Sequence, residues 1–433
     1  MNSHNRDANP HRRRFLAASA VVTGGLVAAA CGGSNASNAA SATGSDNAPH
    51  NTPALPKDPP KKDPLPATQK MKQGTLLTGG SQKNVETGEV RWVFSQLNLD
   101  KAFDAFGDAT KRDPASMAAW VRENARLLLD IGFLVHGVIP NPKKPERVIV
   151  FQKKGKGGAE VDLKENKIIA RIDPSAGCEF YGHGGYTADA SILYATEYDA
   201  TTYEGRMVVR DANSYKVLSQ FQTFGEWPHD CQFLDQGRTV AVTNGGGHLE
   251  GGSKPNVCYI DVASGKLIEK IEFENPRINA GHLFVTPSGD LAVLHAMREG
   301  LDTKEAPGAL SLRKKGGSLQ TMVDPADITT AMKGETLSHS WYAKDNVIGV
   351  TNPFGDLVTF WSLTDQKYVS KRKIKQPRGL ALTLDQKYFV LTFDKDNPNL
   401  IMIPADTREV EKPSIQFPLA CDGSHAYVYD FPV

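Results

Sequence analysis

Six of the eleven histidines recur at the opening of a repeated unit: His136, His183, His229, His282, His339 and His425. Neutral imidazole is the commonest metal-ligating side chain, and it suits Cu, Zn, Fe or Ni. Two carboxylates lie close in sequence. Asp230 follows His229, and Glu197 closes the apolar run after His183. These eight side chains are the candidate ligands of a transition metal ion, Cu, Fe or Zn. The plain alternative for any one of them is a structural histidine bonded to neighbouring backbone. Other chemistries lack their residues. The chain has no Gly-x-Ser-x-Gly, His-Glu-x-x-His or phosphate loop. Cys178, Cys231, Cys258 and Cys421 form no Cys-x-x-Cys, so neither haem attachment nor a thioredoxin-like motif is present. Cys258 reads as a buried apolar residue, and disulfide pairing stays open.

Distant histidines meet only if the chain returns each opening to one axis. The openings are His136-Gly137, His183-Gly184, Pro228-His229, Gly281-His282, Ser338-His339, Arg378-Gly379 and Ser424-His425, spaced by 47, 46, 53, 57, 39 and 47 residues. After most of them come a turn and a β-rich strand, such as Asp235-Gln236-Gly237 before Thr239-Val240-Ala241-Val242. Second halves repeat as well: Asp162 with Lys167, Asp211 with Lys216 and Asp261 with Lys266 each mark a strand, an Asp-led turn and an outer strand. Four short strands in roughly 40–50 residues is the arithmetic of a propeller blade.

The expected fold is therefore all-β, a single seven-bladed β-propeller over residues 74–433. Its inner strands line a channel and set the openings at one level. Only one strand follows His425, so Thr75–Thr78 and Val90–Phe94 are expected to complete that blade and close the ring, leaving no open edge. Arg378 stands where a seventh histidine would. Its fixed charge shifts the expected metal position toward His183, His229 and His282. Residues 99–131 break the pattern. Asp113-Pro114 reads as an N-cap with Pro at the first helical position, and Met117, Trp120, Val121, Ala125 and Leu128 follow at helical spacing to Gly132. This is expected to be a helical insertion before blade one, packed on one face of the disc.

The N-terminus reads as an address. Arg12-Arg13-Arg14-Phe15-Leu16 fits twin-arginine export, and Ala17–Ala30 is too short for a comfortable membrane span. Small residues before Cys31, then a Gly/Ser/Asn tract, fit lipoprotein processing, with plain cleavage as the alternative. Residues 1–31 are thus an export signal with lipidation at Cys31, and 32–73 a disordered Pro/Ser/Lys linker. The expected location is periplasmic, with membrane attachment by the lipid anchor alone. A formal net charge of +1 argues against nucleic acid as a partner. A monomer is expected.

The runs Glu179-Phe180-Tyr181-Gly182-His183-Gly184, Tyr194-Ala195-Thr196-Glu197-Tyr198-Asp199, Pro228-His229-Asp230 and Asn244-Gly245-Gly246 resemble an uncharacterised family of exported periplasmic seven-bladed propellers. Its members are commonly encoded beside imelysin-type iron-uptake proteins. The resemblance implies a role in handling iron or copper, periplasmic metal-uptake proteins as partners, and no established reaction. The expected function is a periplasmic metal-binding propeller for transition-metal acquisition or handling. The alternatives are a non-catalytic interaction scaffold and, third, a propeller enzyme, since a metal hydrolase favours carboxylates where histidine dominates here.

Overall fold

The computed structural model describes residues 71–83, 87–124, 126–302, 308–411 and 414–431. The export signal, Cys31 and the linker up to residue 70 lie outside the described residues. Those described are almost wholly β. Their strands form five antiparallel sheets of four strands and one of eight. The eight-stranded sheet holds two successive four-strand groups, beginning at Val135–Pro140 and Cys178–Tyr186, joined where Lys153 and Gly155 pair with Tyr181 and Phe180.

Burial explains the strand chemistry. Middle strands are apolar on both faces because each is sandwiched between neighbouring sheets: Val347–Asn352 and Leu357–Ser362 are buried throughout. Outer strands alternate, as in Lys367–Lys373, where every second residue is exposed. First strands, such as Pro228–Leu234 and Pro377–Leu382, carry the openings.

The first and last described strands meet in one sheet, ordered Tyr427–Tyr429, Thr75–Lys83, Val90–Asn98 and Arg126–Asp130. Thr75 donates its hydroxyl to the Phe431 carbonyl at 2.6 Å. The N–H groups of Lys72, Gln73 and Gly74 all donate to the Asp100 carboxylate.

The helical segment differs from its expectation. One helix spans Leu99–Phe106, capped by Asn98, and another spans Pro114–Asn124, with Asp113 accepting from the Ser116 N–H. Helix stops at Asn124. Residues Arg126–Asp130 form a strand whose partners are Val93–Gln96. Ladder pairing there overrides a leucine run that also fits helical spacing. The helices lean on the edge strand Ile415–Pro418: Phe106 lies 5.7 Å from Phe417 and 5.8 Å from Trp120 between ring centroids. No helix among the described residues is long and apolar enough to cross a membrane.

Candidate metal centre

Threonines fix the inner strands. Thr196, Thr243, Thr351 and Thr392 each accept the N–H of the residue thirteen places earlier: His183, Asp230, Ser338 and Gly379, at 2.8–3.3 Å. Three of these hydroxyls also donate to carbonyls of the following unit, those of Gly281, Arg378 and Gly423. This common register corrects one expectation. His183 is equivalent to Asp230, not to His229, and His339 stands one place beyond Ser338. The histidines therefore occupy different register positions of their strands.

Ladder irregularities aim them inward. The register shifts between Val135 and Gly137, between Phe180 and Gly184, and between Pro228 and Cys231. These intervals hold His136, His183, His229 and Asp230, and a bulge re-aims the side chain it carries. Gly182 makes one of the turns possible. Its φ is +107°, and a Cβ there would stand 2.4 Å from His136 Cδ2.

The result is a compact imidazole cluster. One nitrogen from each of His136, His183, His229 and His282 lies within 4.8 Å of all the others. His136 Nε2 and His229 Nε2 are 2.9 Å apart. Asp230 stands behind two of the rings, with Oδ1 at 3.2 Å from His183 Nδ1 and Oδ2 at 3.4 Å from His282 Nδ1. It also accepts from the Leu283 N–H at 3.1 Å. Burial raises Asp230, yet His183, His282 and that N–H outweigh it and hold the carboxyl well below its ordinary range. An ionised Asp230 draws the Nδ1 proton of both rings toward itself. That leaves each Nε2 with a bare lone pair, and both atoms are buried without a hydrogen-bond partner.

The eight candidate ligands separate into roles. His136, His183, His229 and His282 converge. Asp230 orients two of them. His425 sits behind a third, its Nε2 at 3.1 Å from His136 Nδ1. His339 lies at the margin, 6.5 Å from His282 between ring centroids. Glu197 takes a different role altogether: fully buried, it pairs with Arg210 and accepts the Ser175 N–H at 2.7 Å, so its charge is spent inside its own sheet. All four other cysteines are free thiols.

Electrostatics keep the imidazoles neutral. Burial lowers His136, His183 and His229, and pushes His282 down to about 4 against the pull of Asp230. Lys153, which sequence reading passed over, adds to the lowering of all four. Its Nζ lies 5.8 Å from the Tyr181 ring, itself 5.3 Å from His229. Arg378 acts on His425, a minor addition to burial there. The thirteen-residue Thr spacing was a readable signal for the register; nothing local marks Lys153.

Two solved structures are similar to this chain at low identity. Hydrazine synthase of Kuenenia stuttgartiensis matches at 13% identity over 62% of this chain and 95% of that one, with a TM-score of 0.41. Dihydro-heme d1 dehydrogenase NirN, in complex with DHE, matches at 12% identity over 81% of this chain and 68% of that one, with a TM-score of 0.50. The second likeness supports a propeller-like fold. No curated protein matches the sequence. A family described as proteins of unknown function, DUF1513, matches residues 131–415, and with more than half of the chain inside that match the protein belongs to this family.

Proposed function

We propose that this protein is a periplasmic metal-binding β-propeller that takes part in acquiring or handling a transition metal, iron or copper. Its ring is read as seven four-stranded blades closed by the pairing of Thr75–Leu77 with Tyr427–Tyr429. The observation that carries the metal reading is the pair of buried, unpartnered Nε2 atoms of His183 and His282, facing two further imidazoles, with Asp230 behind both. Four imidazoles make a nitrogen-rich site, for which intrinsic affinity favours Cu(II). The twin-arginine pattern and Cys31 support export and lipid anchoring, and the family resemblance supports partners among periplasmic metal-uptake proteins.

Calorimetric titration of the chain, purified without a His-tag, with Cu(II), Zn(II) and Fe(II) tests this. One equivalent should bind at micromolar affinity or tighter and be lost in His183→Ala and in His229→Ala. Equal binding by wild type and variants, or none, removes the metal reading. It would leave the scaffold reading, which has its own support: Val217, Leu218, Leu267 and Ile268 lie 40–58% exposed on two outer strands.

A further inference from the structure

The charges around the imidazole cluster do not balance once a metal is bound. The four converging rings are neutral, and among the described residues Asp230 is the carboxylate paired with them. A divalent ion brings two positive charges, of which Asp230 cancels one. Lys153 adds another from the side of His229. Its backbone pairs with Tyr181 across the ladder, and its Nζ lies 5.8 Å from the centroid of that ring. The Tyr181 ring in turn stands 5.3 Å from His229. The ammonium is felt throughout the cluster, since it adds to the lowering of all four rings and of His425.

Lys153 has no acid of its own. Lys154, next in sequence, pairs with Glu299. Lys153 forms no ion pair with any described residue, and Glu335 and Glu299 act on it only from beyond that distance. It is half-buried, so water screens it only in part. The cavity on the other side of the cluster supplies nothing either. Asp230 is the one acidic residue on its wall. Cys231, also on that wall, has its thiol pushed up by burial and by Asp230, and so stays neutral. A loaded centre therefore gathers a divalent ion and an ammonium about one carboxylate. That leaves two surplus positive charges in a partly desolvated space, where uncompensated charge is costly.

We propose that metal loading recruits one small coordinating anion, which binds the metal among the four rings and is held there by the Lys153 ammonium. The inference rests on the metal reading and adds a second class of ligand to the same site. The guest is anionic because the loaded centre lacks negative charge. It is small because the rings already crowd one another, with centroids 4.5–5.7 Å apart. It is coordinating because four imidazoles do not exhaust Cu(II), whose tetragonal geometry accepts a further ligand. Lysine suits the task, being a point charge on a flexible stem.

Azide is the probe, because its coordination to Cu(II) gives a charge-transfer band in the near ultraviolet. The chain, purified without a His-tag and loaded with one equivalent of Cu(II), is titrated with azide at fixed ionic strength. In wild type the band should saturate at one azide per copper. Lys153→Met should bind copper at least as tightly by calorimetry, since a repelling charge is gone, yet hold azide about tenfold more weakly or worse. Lys153→Arg, which keeps the charge, should retain most of the wild-type azide affinity. Lys153→Gln serves in place of the Met variant if that one does not fold. Copper binding without an azide band in wild type, or equal azide affinity in wild type and Lys153→Met, overturns this proposal and leaves the metal reading standing. Absence of copper binding by wild type overturns both.

Discussion

Asp230 decides what two imidazoles present to the cluster. A carboxylate accepts from both Nδ1 atoms, whereas a carboxamide accepts from only one and donates to the other. In Asp230→Asn one ring must therefore carry its proton on Nε2, pointing where a metal would sit. Metal affinity should fall roughly ten- to hundredfold in calorimetry, with the fold intact by circular dichroism; unchanged affinity would mean that Asp230 sets no tautomer. The pH dependence follows from burial. An imidazole with a depressed folded-state value stays neutral as pH falls through 6.5 and is protonated only near its lowered value, about 4 for His282. Affinity should hold nearly level from about pH 7.5 to 5.5 and collapse below about pH 5. Loss centred near pH 6.5, as for exposed imidazoles, would show that the cluster is open to water. The residue types of the centre were legible in the sequence, and their roles were not. Whether a side chain ligates, orients or pairs elsewhere depends on which nitrogen or oxygen meets which neighbour, and Glu197 shows that proximity in sequence to His183 decides nothing when Arg210 lies across the strand.

The elements were legible where two periodicities agreed. Outer strands announced themselves by alternation and by their Asp-led turns, whose carboxylates cap backbone N–H groups, as Asp211 does for Ser214 and Asp261 for Ser264. The end of the helix at Asn124 was not legible. Residues 117–128 keep helical spacing, but the strand Val90–Asn98 offers an unpaired edge, and Arg126–Asp130 fills it. The bulges were hidden for a related reason: register shifts arise from pairing between strands, which a single strand's pattern does not contain. The terminal strand Tyr427–Tyr429 gives the sharpest test at this scale. It pairs with Thr75–Leu77, and Phe431 beyond it is buried and accepts from Thr75. Deleting residues 427–433 should lower the calorimetric unfolding temperature by well over 10 °C, because it exposes a sheet edge and strips a core contact. A change of only a degree or two would mean that this strand holds nothing together.

Across the described residues, sheets that are distant in sequence bring a few side chains together. Each converging histidine comes from a different unit, and Thr243 ties the strand after His229 to the Gly281 carbonyl, next to His282. The repeat was readable because its period is long and regular. The register within it was readable too, in the thirteen-residue Thr spacing, but only once one hydrogen bond showed what that spacing meant. The depth of the cluster was not readable, since it depends on how far each bulge turns a ring inward. Near-zero net charge conceals a local arrangement in which Lys153 and Arg378 act on the histidines and, among the described residues, Asp230 is the acid paired with them. A centre built this way should bind one metal ion through nitrogen. X-ray absorption spectroscopy of the chain loaded with one equivalent of Zn(II) or Cu(II) reads that directly. The account predicts a first shell dominated by nitrogen at about 2.0 Å with multiple scattering from three to four imidazoles; a shell of oxygen or sulfur with no more than one imidazole would contradict it.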